Sequence, residues 1–211
     1  KYNCWLVLDN TYEYFIYDHD RVVHEAIEDP HVLNVFSFSK AYGMMGWRVG
    51  YIAYVDEQKR VEEGEDISTW SLGAELLKAQ DTIPICPTII SQLVALSALQ
   101  NAGRSWVEEQ LIAVKQNRQA VKDGLISCLG SKNVLGGDGA IYFFAKLPDG
   151  YQDDEKVCEF LATKHGVVVI PGSACGWNGY IRVSYANLEP SAFLIGVERL
   201  KAGLQNLSDM A

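Results

Sequence analysis

Long apolar runs and an excess of basic residues are both absent from this sequence. No apolar run approaches the roughly 20 residues that a membrane-spanning helix requires, which argues against a membrane protein. The 18 lysine and arginine residues are outnumbered by 27 aspartate and glutamate residues, and the formal net charge is −9. Nucleic-acid-binding proteins need basic surfaces that neutralise phosphates, so this acidic balance argues against that class as well.

Paired cysteine motifs are also missing. The five cysteines lie at positions 4, 86, 128, 158 and 175, with no Cys-x-x-Cys or Cys-x-x-His pair among them. Such pairs supply zinc ligands or a redox-active dithiol, so we predict neither a metal site nor a redox motif. An odd number of widely spaced cysteines favours a reducing compartment, and we expect a cytoplasmic location.

The sequence does contain the alternating pattern of an α/β protein. Its 211 residues are 48% hydrophobic and 21% charged, which is typical of a globular chain. Apolar runs bounded by turn formers predict strands at 5–8, 32–38, 49–54, 140–147, 167–170 and 180–185. Helical spacing predicts helices at 88–100, 105–128, 153–165 and 190–207, and the charged stretch 56–66 is predicted to be a solvated surface segment. Strands that alternate with helices indicate α/β layers.

The most specific motif is the segment Ser37–Gly50, which reads SFSKAYGMMGWRVG. It contains a lysine between small residues, Gly43 three positions after Lys40, and Arg48 eight positions after it, followed by an apolar residue and glycine. This pattern resembles the lysine attachment motif of the class I/II aminotransferases, which are pyridoxal-phosphate enzymes of the aspartate-aminotransferase fold (fold type I). A surface lysine and an ion-paired arginine in a loop are the alternative for either residue taken alone.

The resemblance implies a role for each polar residue of the motif. Lys40 would bind the cofactor aldehyde covalently and, once released, would shuttle protons as the catalytic residue. Ser37, Ser39 and Arg48 would bind the cofactor, with Ser37 and Arg48 on its phosphate. The planar guanidinium of arginine suits that task because it bonds phosphate oxygens in pairs and keeps its charge.

A second pair of candidates follows the first predicted strand. The continuous run Trp5-Leu6-Val7-Leu8 predicts a strand buried on both faces, and Asp9 and Tyr12 come directly after it. By resemblance to the family, Asp9 would face the pyridine nitrogen of the cofactor, and Tyr12 would donate a hydrogen bond to its phenolic oxygen. Taken alone, an aspartate after a strand is more often a turn or helix cap. One helical crossover between Asp9 and Lys40 would bring both to the carboxyl ends of neighbouring strands.

The third element is the segment Gly179–Ala186, which reads GYIRVSYA. It resembles the arginine-containing strand near the C-terminus of the family, and this resemblance assigns Arg182 to the α-carboxylate of the substrate. The alternative is a structural arginine on a half-exposed strand. The segment Gly139–Tyr142 loosely resembles a small-domain strand whose side chains approach the substrate.

The resemblance also implies a domain organisation. We expect part of a cofactor-binding large domain over residues 1–104, with a mostly parallel sheet and helices, then a long connecting helix over 105–129 and a small α/β C-terminal subdomain over 130–211. We further expect a preceding stretch of similar length to carry other cofactor contacts, so that the 211 residues form the C-terminal part of a longer chain. The full-length form is expected to be a homodimer.

Three functions remain open from the sequence. The first is transamination between an amino acid and a 2-oxo acid, with aromatic or large apolar substrates favoured by the tyrosine-rich segment 12–17; the segment around Asp9 and the run to Tyr54 resemble plant-type aromatic aminotransferases. The second is a lyase or synthase reaction on the same fold, because the cofactor supplies the shared chemistry. The third is a binding module or a catalytically inert fragment.

Overall fold

The computed structural model describes residues 4–17, 25–55 and 71–210. Contacts between these residues divide them into two compact units. Unit 1 comprises residues 4–14, 25–55 and 71–107, and unit 2 comprises residues 15–17 and 108–210. The boundaries at residues 104 and 130 that the sequence suggests stay a prediction.

Unit 1 contains a three-stranded sheet. Strands β1 (Leu6–Asp9) and β2 (Val32–Ser37) are parallel, and β3 (Gly50–Ala53) pairs with β2 in the antiparallel direction. The predicted strand 32–38 ends one residue early because Phe38 begins a short helix, α1 (Phe38–Ala41). This sheet is mixed, and the prediction of an α/β fold is confirmed.

Three longer helices follow the sheet. They are α2 (Leu72–Thr82), α3 (Ile89–Ser97) and α4 (Gly103–Leu129), with a π-helical turn at Ala98–Ala102 between the last two. The side chains of Ser71 and Thr88 cap α2 and α3 by accepting hydrogen bonds from backbone N–H groups in the first turn. The helices predicted at 88–100 and 105–128 are confirmed, whereas α2 was not predicted.

Unit 2 contains a four-stranded antiparallel sheet and two helices beyond α4. Its strands lie in the order β4-β5-β7-β6, and the helices are α5 and α6. The elements are β4 (Val134–Gly136), β5 (Tyr142–Lys146), α5 (Asp154–His165), β6 (Ile170–Pro171), β7 (Tyr180–Ser184) and α6 (Pro190–Gln205).

The two central strands of unit 2 show how side-chain alternation creates two different faces. In β5 and β7, Phe143, Ala145, Ile181 and Val183 are buried in the core, which also contains Val157 and Leu161 of α5. The intervening residues Tyr142, Phe144, Tyr180 and Arg182 are half-buried on the opposite face. Successive residues of a strand point to opposite faces, so this pattern leaves an aromatic surface around Arg182.

Two predictions from the sequence are wrong in detail. Leu6 and Val7 of β1 are 45% and 58% exposed, so this strand is not buried on both faces among the described residues. The predicted strand 167–170 is reduced to Ile170–Pro171, and Val168 is 83% exposed. Ile170 and Pro171 are the residues of this segment that pair with β7. The strand is short because a strand requires hydrogen bonds to a neighbouring strand. The predicted surface segment 56–66 lies outside the described residues.

Candidate active site

The parallel pair of strands brings Asp9 and Ser37 to one edge of the unit 1 sheet. Asp9 is the last residue of β1 and pairs with Val35, and Ser37 ends β2 two positions later. The backbone N–H of Asn10 donates to the carbonyl of Val35 at 2.8 Å, so the register extends to the end of β1. The carboxyl ends of both strands therefore meet at the same edge, as the sequence predicts.

The carboxylate of Asp9 is held by the turn that follows it. Its Oδ1 accepts hydrogen bonds from the backbone N–H of Thr11 at 3.0 Å and from the Thr11 hydroxyl. The hydroxyl and then the N–H lower the pKa of Asp9 below its ordinary value, because both bonds favour the charged form. Asp9 is consequently an ionised, oriented carboxylate.

Lys40 lies in α1, directly after β2, and its ammonium group lies over the ring of Tyr12. The Nζ is 5.9 Å from the ring centroid, within the range of a cation–π contact. Lys40 and Tyr12 are both half-buried. Two candidates that are distant in the chain are thus brought together.

The serines of the motif shape the turn that carries Lys40. The Oγ of Ser37 accepts a hydrogen bond from the backbone N–H of Ser39 at 3.1 Å and caps α1. Gly50 begins β3 opposite Ser37, and a Cβ at this position would lie only 2.5 Å from the carbonyl oxygen of Phe36 in β2.

Arg48 lies in the left-handed region of backbone space, with φ of 52°, at the end of a short 3₁₀ turn. Its Nη1 donates to the carbonyl of Met45 at 3.0 Å, which uses one of the five N–H groups of the guanidinium. The arginine is exposed. Asp9, Tyr12, Ser37, Ser39, Lys40 and Arg48 all belong to unit 1.

Arg182 belongs to unit 2, at the centre of β7. Its guanidinium carbon lies 5.1 Å from the centroid of the Tyr142 ring, and Phe144 is its partner across the strands. Phe144 in turn stacks on Tyr180, with ring centroids 4.8 Å apart. The arginine is therefore a cation set in an aromatic surface.

An open pocket of about 470 Å³ lies over this surface. Tyr142, Phe144, Cys175, Trp177 and Arg182 are among its lining residues, and the arginine is the permanent charge in that lining. Apolar walls with one fixed cation are suited to a ligand that has a carboxylate and an apolar body.

Tyr14 and Tyr17 of the segment 12–17 are partly buried phenols, and Tyr17 is hydrogen-bonded within unit 2. The Tyr17 hydroxyl donates to the Ala140 carbonyl at 2.6 Å beneath the guanidinium of Arg118, and Tyr185 donates to the same carbonyl at 3.0 Å. Burial raises the pKa of Tyr17 above its ordinary value and that of Tyr185 to about 12. Burial, followed by the charge of Glu13, raises the pKa of Tyr14 to about 12. The raised pKa values favour the neutral form of all three phenols.

The sequence did not reveal one polar residue of unit 2. Asp154 is 2% exposed and accepts hydrogen bonds from Ser173 and Gly179. In the sequence, Asp154 is the second of two adjacent aspartates at the start of a predicted helix. The first of them, Asp153, is the residue that caps α5. A local pattern gives no reason to distinguish the two.

Among the described residues, none of the helices is both long enough and apolar enough to span a membrane.

The family described as "Aminotransferase class I and II" matches residues 1–200. The chain is 49% identical over 204 residues to "Aromatic aminotransferase ISS1" of Arabidopsis thaliana, covering 97% of this chain and 48% of that protein. It is 31% identical to a "Probable aspartate/prephenate aminotransferase" of Aquifex aeolicus, covering 96% of this chain and 50% of that protein.

Solved structures agree with these relatives. The aromatic aminotransferase of Pyrococcus horikoshii OT3 superposes with a TM-score of 0.75 at 27% identity, covering 98% of this chain and 52% of that one. An aminotransferase of Mycobacterium tuberculosis has the same fold, with a TM-score of 0.74 at 23% identity and coverage of 95% and 49%. The chain spans about half the length of the curated relatives it matches. Because the family model matches residues 1–200, the chain belongs to the aminotransferase class I and II family.

Proposed function

We propose that the full-length protein is a pyridoxal-phosphate-dependent aminotransferase that moves an amino group between an amino acid and a 2-oxo acid. The observation that carries this proposal is the contact of Lys40 with Tyr12, next to strands β1 and β2 whose parallel pairing puts Asp9 at the same end of the sheet. Membership of the aminotransferase family supports it independently.

The chemistry of the donor set fits the cofactor. Pyridoxal phosphate has an aldehyde, a phenolic oxygen, a pyridine nitrogen and a phosphate. Unit 1 has a partner of suitable chemistry for each of these groups: the amine of Lys40, the phenol of Tyr12, the carboxylate of Asp9, and, for the phosphate, the hydroxyl of Ser37 and the guanidinium of Arg48. The lowered pKa of Asp9 supports its part, because an ionised carboxylate favours a protonated ring nitrogen.

Each of these residues has a distinct task in the proposed reaction. The bound cofactor supplies an electron-withdrawing ring that stabilises negative charge at the substrate α-carbon. Lys40 would hold the cofactor through its aldehyde, and its amine would accept the proton of the substrate α-carbon as a general base. Arg48 and Ser37 would orient the cofactor through its phosphate, Ser39 would make a further contact with the cofactor, and Arg182 would bind the α-carboxylate of the substrate.

We further propose that aromatic or large apolar amino acids are the preferred substrates. The apolar pocket around Arg182 supports this preference, and so does the similarity to the aromatic aminotransferase of Arabidopsis thaliana. Acidic amino acids are the competing substrate class, because the Aquifex relative is named as a probable aspartate/prephenate aminotransferase. A homodimer in the cytoplasm is the proposed state of the full-length protein.

Product analysis tests these proposals together. Full-length protein supplied with pyridoxal phosphate should convert phenylalanine, tyrosine or tryptophan and a 2-oxo acid into an aromatic 2-oxo acid and a new amino acid. Aspartate as the amino donor measures the competing preference. Release of ammonia or a thiol would indicate a lyase, and failure to bind the cofactor would indicate a binding module. Light scattering on the same sample measures the oligomeric state.

A further inference from the structure

We propose that Asp154 is a positioning residue for the substrate pocket, because it holds the loop 172–179 that carries two of the pocket's walls. This inference rests on the proposed function through Arg182, which shares that pocket. Asp154 itself lies at the start of α5 and is not among the residues that line the pocket.

The carboxylate of Asp154 is a buried acceptor for both ends of the loop. Near the first end, the Ser173 hydroxyl donates to Oδ1 at 2.6 Å, and the Ser173 N–H lies 3.3 Å and 3.2 Å from the two oxygens. At the other end, the Gly179 N–H donates to Oδ2 at 2.7 Å. One side chain therefore ties the two ends of the loop together.

The loop between these ends supplies two side chains to the pocket that Arg182 also lines. The backbone N–H of Trp177 donates to the carbonyl of Gly172 at 2.9 Å, and that of Cys175 donates to the same carbonyl at 2.8 Å. Trp177 and Cys175 line the pocket with Arg182, and the Trp177 ring lies 6.0 Å from that of Tyr180. The shape of the pocket therefore depends on where the two loop ends are held.

The start of α5 does not need Asp154 as its cap. Asp153 performs that task, since its side chain accepts a hydrogen bond from the N–H of Lys156 at 3.3 Å. A carboxylate that is 2% exposed is unfavourable to bury unless its hydrogen bonds are made, and here they are made by the loop. The neighbouring aspartates thus have separate tasks, and this gives a matched control.

The test compares Asp154→Asn with Asp153→Asn in the full-length protein with its cofactor. Asparagine keeps the size of aspartate but loses the charge and replaces one acceptor with a donor. We expect Asp154→Asn to raise the KM for aromatic amino acids on the order of tenfold. The change in kcat should be smaller, and the visible absorbance of the cofactor should stay unchanged. Hydrogen exchange of the Ser173 and Gly179 amides should become faster. Asp153→Asn should leave KM and this exchange unchanged.

A second variant covers the case in which Asp154→Asn fails to fold. Ser173→Ala removes only the hydroxyl donor, so it should raise KM in the same direction by a smaller factor. Unchanged KM in both variants, or faster exchange of the loop without a rise in KM, would overturn the positioning role. A variant that lost the cofactor, or one in which kcat fell while KM stayed constant, would also overturn the positioning role. In either case the variant would have damaged the enzyme without changing the binding of the substrate.

A double-mutant cycle separates this inference from the proposed function. In an Arg182→Lys background, Asp154→Asn should raise KM much less than it does in the wild type, because both residues act on the same pocket. Full additivity would overturn the link between the loop and Arg182. If Arg182→Lys alone left KM unchanged, the proposed role of the arginine would fail instead, while hydrogen exchange would still report whether Asp154 holds the loop.

Discussion

The ammonium group of Lys40 lies 5.9 Å from the centroid of the Tyr12 ring, although the two residues follow different strands of the sheet. The parallel register of β1 and β2 produces this proximity, because it aligns the carboxyl ends of the strands from which both residues emerge. A phenol beside a lysine can tune the reactivity of its amine. The pair is therefore the part of unit 1 in which we expect chemistry to occur.

Replacement of Lys40 tests the attachment of the cofactor. In the full-length protein, Lys40→Ala should abolish the visible absorbance of covalently bound cofactor and lower turnover by several orders of magnitude. Lys78→Ala is the control, since Lys78 is an exposed residue of α2 paired with Glu75. Retention of the absorbance band in Lys40→Ala would show that another lysine binds the cofactor.

Replacement of Arg182 tests the carboxylate site. Arg182→Lys keeps the charge but loses the planar pair of donors, so kcat/KM should fall roughly 10- to 150-fold for every amino acid substrate. The cofactor spectrum should be unaffected. Arg199→Lys, on the exposed surface of α6, is the matched control. Loss of activity toward one substrate class alone would contradict the assignment.

Tyr142 provides a graded test of the same site. Its ring lies 5.1 Å from the guanidinium carbon of Arg182, and a cation–π contact at a half-exposed position contributes about 0.5–1 kcal/mol. Tyr142→Leu should therefore raise KM roughly two- to fivefold, whereas Tyr142→Phe keeps the ring and should change KM little. Steady-state kinetics with phenylalanine measures both. Equal effects of the two variants would show that the hydroxyl, rather than the ring, orients the arginine.

The hydrogen bonds from Thr11 predict a pH dependence of stability. They lower the pKa of Asp9 in the folded state, so their contribution to the free energy of unfolding is present above the unfolded pKa and is lost as the pH falls through the folded pKa. Thr11→Val removes the hydroxyl donor. The deficit in unfolding free energy of this variant should be larger at pH 6 than at pH values low enough to protonate Asp9.

Urea unfolding at the two pH values measures this deficit. Thr163→Val is the control, because the Thr163 hydroxyl donates to a backbone carbonyl in α5 rather than to a carboxylate. Its effect should be the same at both pH values. A deficit of Thr11→Val that did not change with pH would show that the hydroxyl stabilises the turn without acting on the charge of Asp9.

Local patterns were sufficient for the elements that carry the candidate site. The connection from β2 to β3 could be predicted because Ser37, Lys40 and Gly50 lie within one short segment. Residues that are close along the chain stay close in the fold. The helix over 153–165 and its glycine stop were also predictable, and Gly166 takes the expected left-handed conformation with φ of 65°.

Features that depend on distant partners could not be predicted in this way. The apolar run of β1 predicted burial, but burial depends on what covers a strand, and Leu6 and Val7 are exposed among the described residues. The run 167–170 had the composition of a strand, yet only two residues there pair with β7. Asp154 acquires its partners from a loop that follows α5 and β6. Hydrogen-bond partners and neighbouring surfaces are properties of the folded chain, so tertiary structure alone decided the burial of this carboxylate and the walls of the Arg182 pocket.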